Sequence, residues 1–187
     1  ENITSLNPRV ITQKGISRSF QIPQIFEPMS TWENLLVALG TSQKNHSYFK
    51  NARSKENADY INEILSRFSL HEFAHRQVSE LPGGVRKLLD IAMALVRKPD
   101  ILLLDEPTSG VGAKEKYPLM DTIAKALSVE NLTVIFVEHD MDIVQNYSER
   151  VIAFYQGEII ADGKCDKVLK DENVQEFVTG KTQKKAK

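Results

Sequence analysis

The rhythm of apolar and polar positions changes near the middle of this chain. Over 57–68, Ile61, Ile64, Leu65 and Phe68 recur at helical spacing and predict a helix with one buried face. Ahead of it, Ser30-Thr31-Trp32-Glu33 reads as a capping box opening a helix through Leu35, Leu36 and Leu39. Nearer the start, Asn7, Pro8 and Gly15 mark the cap, first position and end of a short helix. A strand over 16–20 follows, with Ile16, Arg18 and Phe20 on one face. Pro23 and Pro28 make the next stretch a loop, and the polar stretch 41–54 reads as a mobile excursion.

Beyond residue 80 the pattern becomes strand, helix, strand. An apolar helical stretch over 88–96 ends at Lys98-Pro99-Asp100. Continuous apolar runs at 101–104 and 133–137 predict buried parallel strands. Helices are expected over 114–127 and, capped by Asp140, over 141–147. Strands over 151–155 and 158–161 flank Gln156-Gly157, a hairpin turn, and 164–178 reads as one or two short helices. The basic tail 181–187 reads as disordered. Strands alternating with helices imply an α/β domain with a parallel sheet.

Composition narrows the partners. In 187 residues, 24 Lys and Arg face 25 Asp and Glu, so charge gives no general reason to expect a nucleic-acid partner. A lone cysteine, Cys165, excludes an intrachain disulfide and a Cys-only zinc site. The longest apolar run, 91–96, is far below the roughly 18 residues a membrane span needs. The start, Glu1-Asn2-Ile3-Thr4, is neither basic nor apolar and does not read as a signal peptide. It reads as a beginning inside a longer protein.

Four places could carry chemistry. The run 101–107 delivers two adjacent carboxylates, Asp105 and Glu106, at the C-terminal end of a strand, the edge where open α/β sheets bind ligands. One could hold Mg²⁺ and the other orient a water; a simple strand-ending turn is an equal reading. A second strand ends in Glu138-His139-Asp140, where His139 could meet a phosphate or be a solvated loop residue. Leu81-Pro82-Gly83-Gly84-Val85-Arg86-Lys87 puts two glycines at a helix start, with backbone N–H groups facing out and cations nearby; the commoner reading is a turn. Gln21, just after the first strand, says nothing alone.

Together and in this order, these sites resemble the ATP-binding subunit of an ABC transporter. Gln21 matches the Q-loop glutamine, 81–85 falls at the LSGGQ signature, 101–106 matches Walker B with its following glutamate, 109–112 falls at the D-loop, and His139 matches the switch histidine. Within that superfamily the chain is similar to the branched-chain amino-acid uptake group, through Arg18-Ser19-Phe20-Gln21, Trp32-Glu33-Asn34, Val137-Glu138-His139-Asp140-Met141 and 156–161. The resemblance implies a partial P-loop NTPase-like ABC ATPase domain of the α/β class, lacking its N-terminal nucleotide-binding portion. It implies a remnant of the N-terminal core and Q-loop over 1–29, an α-helical subdomain with the signature over 30–97, and a RecA-like core over 98–180. In the complete protein the cofactors would be ATP and Mg²⁺. Glu106 would position the attacking water and His139 contact the terminal phosphate. Asp105 and Gln21 would serve Mg²⁺, and Gly83 and Gly84 would face the opposite subunit's ATP. Implied partners are a second ATP-binding subunit in a head-to-tail dimer, permease subunits facing the loop around 24–28, and a solute-binding protein. The implied place is the cytoplasmic side of a membrane.

Three departures qualify this. No GxxxxGK[ST] precedes Gln21; Gly180-Lys181-Thr182 is a decoy, with Gln175 where the first glycine belongs. Pro82 replaces the signature serine and Val85 its glutamine. Gly112 stands where the D-loop commonly has Asp or another polar residue. This chain alone is therefore expected to hydrolyse no ATP. Two other readings stay open. One is a catalytically degenerate ABC-like module that docks on a permease or dimerises; the other is a non-transport ABC ATPase, for which no coiled-coil insertion or second cassette is present.

Overall fold

Helices form where a cap and an apolar stripe coincide, as at Ser54 and Asp140, and elsewhere on the stripe alone. The structure, a computed structural model, describes residues 1–42, 54–129, 131–178 and 180. Residues 43–53 of the expected excursion and the tail 181–187 lie outside the described residues. The remainder divides into two units, Glu1–Val137 and Glu138–Lys187.

In the first unit, α1 (Pro8–Gln13) starts with Asn7 Oδ1 accepting from Arg9 N–H. Gly15, at φ 84°, turns the chain into β1 (Ile16–Ser19). A Cβ there would sit 2.3 Å from Asp100 Oδ2, so the turn admits only glycine without rearrangement. α2 (Thr31–Ser42) opens on the capping box: Glu33 N–H donates to Ser30 Oγ at 3.2 Å, and Ser30 N–H donates to Glu33 Oε2 at 3.0 Å. α3 (Lys55–Arg67) is capped by Ser54 and starts two residues before the expected 57–68. α4 (Gly83–Leu95) starts at the glycines themselves, five residues earlier than the apolar stretch suggests, with Pro82 as its N-cap.

β2 (Ile101–Asp105) is followed by α5 (Lys116–Leu127) and β3 (Thr133–Val137). The three strands form a parallel sheet in the order β1-β2-β3. α2 packs on α3 and α4, and α4 on β1 and β2. The core between these layers contains Leu35, Ile61, Ile64, Leu65, Phe68, Leu89, Ile91, Leu95 and Leu102, all essentially inaccessible to solvent. Each such side chain stabilises the fold by about 1.5–3 kcal/mol of transfer free energy.

One sequence expectation is sharpened here and one is overturned. In β1, Ile16 and Arg18 share one face as expected, and the opposite face, which carries Ser17 and Ser19, is the buried one; Phe20, just past the strand, is exposed. Hydrogen bonding decides this orientation, because Ser19 Oγ donates to buried Asp90 at 2.6 Å. In β3 the strand exists but is not buried: Ile135 is 52% and Val137 62% exposed. Among the described residues β3 is an edge strand with one neighbour, β2.

In the second unit, α6 (Met141–Tyr147) is capped by Asp140, and β4 (Arg150–Tyr155) pairs antiparallel with β5 (Glu158–Lys164). The turn has φ 49° at Gln156 and 85° at Gly157, the double positive φ that a two-residue hairpin favours. Two short helices, α7 (Cys165–Val168) and α8 (Glu172–Phe177), place Val168 and Val174 against Ala153 of the hairpin.

Candidate functional site

Parallel register brings the candidate residues of the first unit together. Ser19 stands opposite Leu104, so Gln21 and the Asp105–Glu106 pair leave adjacent strands at the same end. Gln21 Nε2 donates to Glu106 Oε2 at 2.8 Å across 85 positions of sequence. Arg18, on the outward face of β1, donates to Asp105 Oδ2 at 2.5 Å. The same guanidinium lies 5.1 Å from the centroid of the Phe20 ring.

Glu106 is held in the left-handed region at φ 42°. A side chain with a Cβ pays about 1–2 kcal/mol for that conformation. Two backbone bonds fix it: Glu106 N–H donates to Val137 O at 3.0 Å, and Ser109 N–H donates to Glu106 O at 3.0 Å. The adjacent acids take different partners, Asp105 the guanidinium of Arg18 and Glu106 the amide of Gln21. Strain of this kind concentrates at functional sites.

Gly83 and Gly84 form the first turn of a 13-residue helix, and a Cβ at either would meet nothing within 4 Å. Their surroundings are open, as an approaching anion requires. The neighbouring cations are not spare, however. Arg86 donates to Leu81 O at 3.0 Å and Ser79 O at 2.7 Å, and Lys87 is buried against backbone carbonyls. His139 belongs to the second unit, where its Nδ1 lies 4.0 Å from Glu138 Oε2.

The described residues do not make a seat for Mg²⁺ as they stand. They contain no group of three His, Cys, Asp or Glu suited to a metal ion. Asp105 faces the guanidinium of Arg18, and Gln21 turns its amide NH₂, a donor, toward Glu106. For ATP the chain offers the two glycine amides but no phosphate-cradling loop with its lysine.

The family model described as ABC transporter matches residues 1–109, more than half of the chain. The chain belongs to the ABC transporter family. It is 34% identical over 183 residues to the high-affinity branched-chain amino acid transport ATP-binding protein BraF of Pseudomonas aeruginosa, spanning 93% of this chain and 71% of that protein. It is also 34% identical over 182 residues to LivG of Escherichia coli K12, a protein of the same description, with 93% and 71% covered. The solved ADP form of MJ1267, an ATP-binding cassette of an ABC transporter, superposes with TM-score 0.74 at 31% identity, covering 96% of this chain and 74% of that one. The fold described above is thus part of an ABC ATP-binding domain.

Sequence reasoning about this ABC domain missed three residues that the site depends on. Lys87 and Asp90 share the α4 stripe with buried Ile91 and Ala94, and hold the segment around Gln21. Charges at positions 87 and 90 of an otherwise apolar stripe were the available signal. Asn34, fully buried, accepts from Phe26 N–H at 2.8 Å and donates to Phe26 O at 3.1 Å, fixing the far end of the loop.

Proposed function

We propose that this chain is the catalytic-edge and partner-facing part of an ATP-hydrolysing subunit of a branched-chain or other amino-acid importer. The observation that carries the reading is the convergence of Gln21, Asp105 and strained Glu106 at one end of a parallel sheet in a chain of this family. In this reading Glu106 orients the water that attacks the terminal phosphate, and His139 contacts that phosphate. Gln21 reports the state of Glu106 to the loop that follows it. Gly83 and Gly84 offer their N–H groups to ATP held by the opposite subunit. Asp105 and Gln21 meet Mg²⁺ only in the complete nucleotide-bound protein.

The surface beside Gln21 supports a membrane partner. A groove of about 340 Å³, lined by Phe20, Gln24, Phe26, Val37, Met93 and Arg97 among others, opens between α2, α4 and β1. The adjoining loop leaves Ile22 and Met29 exposed. A helical segment of a permease with a small apolar face suits this groove. No helix among the described residues is long and apolar enough to cross a membrane. The proposed place, peripheral on the cytoplasmic face, follows from the proposed role as an ATP-hydrolysing subunit of an importer.

The proposed subunit needs a phosphate-binding loop that this chain does not contain, and the chain alone should hydrolyse ATP negligibly. In a transporter assembled from the complete subunit and its permease, Glu106→Gln should lower kcat about 10²–10⁴-fold. Strong Glu106-dependent hydrolysis by the 187-residue chain alone would contradict its dependence on that loop. An assembled transporter indifferent to Glu106→Gln would overturn the catalytic role. A second reading, a docking module without catalysis, is favoured by Pro82, which caps α4 with no side-chain hydrogen bond, and by Val85.

A further inference from the structure

Two charged residues of α4 are buried where the proposed chemistry does not use them. Lys87 is 2% exposed and Asp90 5%. They stand one helical turn apart on the face turned toward β1 and β2. Lys87 Nζ donates to Phe20 O at 2.9 Å, Gln21 O at 3.0 Å and Asp105 O at 3.3 Å. Asp90 accepts from the other side of the same segment. Its Oδ2 takes Ser19 Oγ at 2.6 Å and Phe20 N–H at 3.1 Å, and its Oδ1 takes Gln24 N–H at 2.9 Å.

These bonds have a consistent logic. β1 ends at Ser19, so Phe20, Gln21 and Gln24 have no strand to satisfy their backbone groups. An unpaired backbone group at a buried position costs about 1–3 kcal/mol. The lysine supplies three donors to carbonyls, the carboxylate supplies acceptors to N–H groups, and both come from one rigid helix. That helix begins at Gly83 and Gly84. Lys87 also holds the carbonyl of Asp105, immediately before the strained Glu106.

We infer that Lys87 and Asp90 are positioning residues that lock the glycine end of α4 to the backbone around Gln21, so that displacement of one moves the other. This rests on the proposed function, since it links the surface assigned to the opposite subunit's ATP with the residue assigned to sense it. A nucleotide that pulls on Gly83 and Gly84 then pulls on Gln21 through charge-assisted hydrogen bonds, and Glu106, bonded to Gln21, follows. The reverse path carries a push from a partner on the loop back to α4.

The test needs no nucleotide. In the full 187-residue chain, amide hydrogen exchange and ¹H–¹⁵N shifts are recorded for wild type, Lys87→Met and Asp90→Asn. Asp90→Asn has one acceptor oxygen, so one side of the segment must lose its partner. Exchange at Phe20 or Gln24 should then quicken about 10-fold or more, while α3 and α5 stay protected. Gly84→Ala, which the open space around Gly84 admits, should shift the Phe20, Gln21 and Gln24 amides in the wild type. It should move them clearly less in Lys87→Met, where Asp90 alone still holds the segment. A purely structural role would leave that transmission intact. If Lys87→Met does not fold, Ser19→Ala removes only the 2.6 Å bond to Asp90 and should weaken the response to Gly84→Ala. An unchanged response in folded Lys87→Met or Ser19→Ala overturns the inference and leaves the ATPase reading standing. Failure of Glu106→Gln in the assembled transporter overturns that reading and leaves the mechanical link standing.

Discussion

The two faces of the parallel sheet in the first unit are built on opposite terms. On the face covered by α4, Ser17 and Ser19 are buried beside Leu102 and Leu104, and a buried carboxylate satisfies Ser19. On the other face Arg18 and Asp105 pair in the open, with side chains 52% and 31% exposed, while Ile135 and Val137 stand in solvent. Polar residues are inside where a partner waits for them, and the apolar Ile135 and Val137 are outside. Burial therefore follows the available partner, with residue type second. Parallel sheets ordinarily have both faces covered, and the exposure of Ile135 and Val137 departs from that rule.

The largest effect should come from emptying the covered face. Leu102→Ala should lower the stability of the first unit by about 2–5 kcal/mol in urea unfolding, because a fully buried side chain leaves a cavity. Ile135→Thr keeps a β-branched residue at a solvent-facing position and should change stability by less than about 0.5 kcal/mol. Equal losses would show that the open face is covered in solution and would break the comparison.

Neighbouring residues on opposite faces give a finer contrast, since each bonds a carboxylate at similar distance. Ser19→Ala should cost about 1.5–3 kcal/mol, the usual worth of a buried hydrogen bond to a charged group. Arg18→Gln should cost at most about 1 kcal/mol and should matter less in salt, because exposed pairs are screened. Salt titration of the two variants separates them: the Arg18 effect fades and the Ser19 effect persists.

The same contrast explains what could be read ahead of the structure. Helices α1, α2 and α3 and the hairpin were legible because their signals are local: Asn7, Ser30 with Glu33, and Gln156-Gly157 each act within a few residues. The order of Gln21, Gly83-Gly84, Asp105-Glu106 and His139 was legible as a family pattern. Which face of β1 is buried was not, because nothing local chooses between the Ile16–Arg18 face and the Ser17–Ser19 face until Asp90 is placed beside Ser19, 71 positions away. The exposure of β3 was hidden too, since an apolar run looks the same whether or not its second face finds a cover. Lys87 read only as a cation near the glycines, because three carbonyls from distant strand ends had to be assembled before its burial made sense.

The smallest effect belongs to an ion pair of the second unit that stands in the open. Arg150 grips Asp162 across the hairpin with bonds of 2.8 and 2.7 Å. The guanidinium holds the Asp162 carboxyl below the ordinary aspartate range, through the hydrogen bonds first, with its charge adding to them, and the carboxylate holds Arg150 in its charged form. A carboxyl with a lowered folded value contributes stability above its ordinary range and loses it as pH falls through the lowered value. Arg150 keeps its charge throughout, so the whole dependence lies on the acid side. Thermal unfolding of the wild type and Asp162→Asn should therefore differ slightly and constantly at neutral pH, and the curves should converge only in acid. Added salt should shrink the difference at neutral pH, as it should for Arg18→Gln and should not for Ser19→Ala. A salt-insensitive Asp162 effect would place the hairpin with the covered face and redraw the division between partnered and open charge.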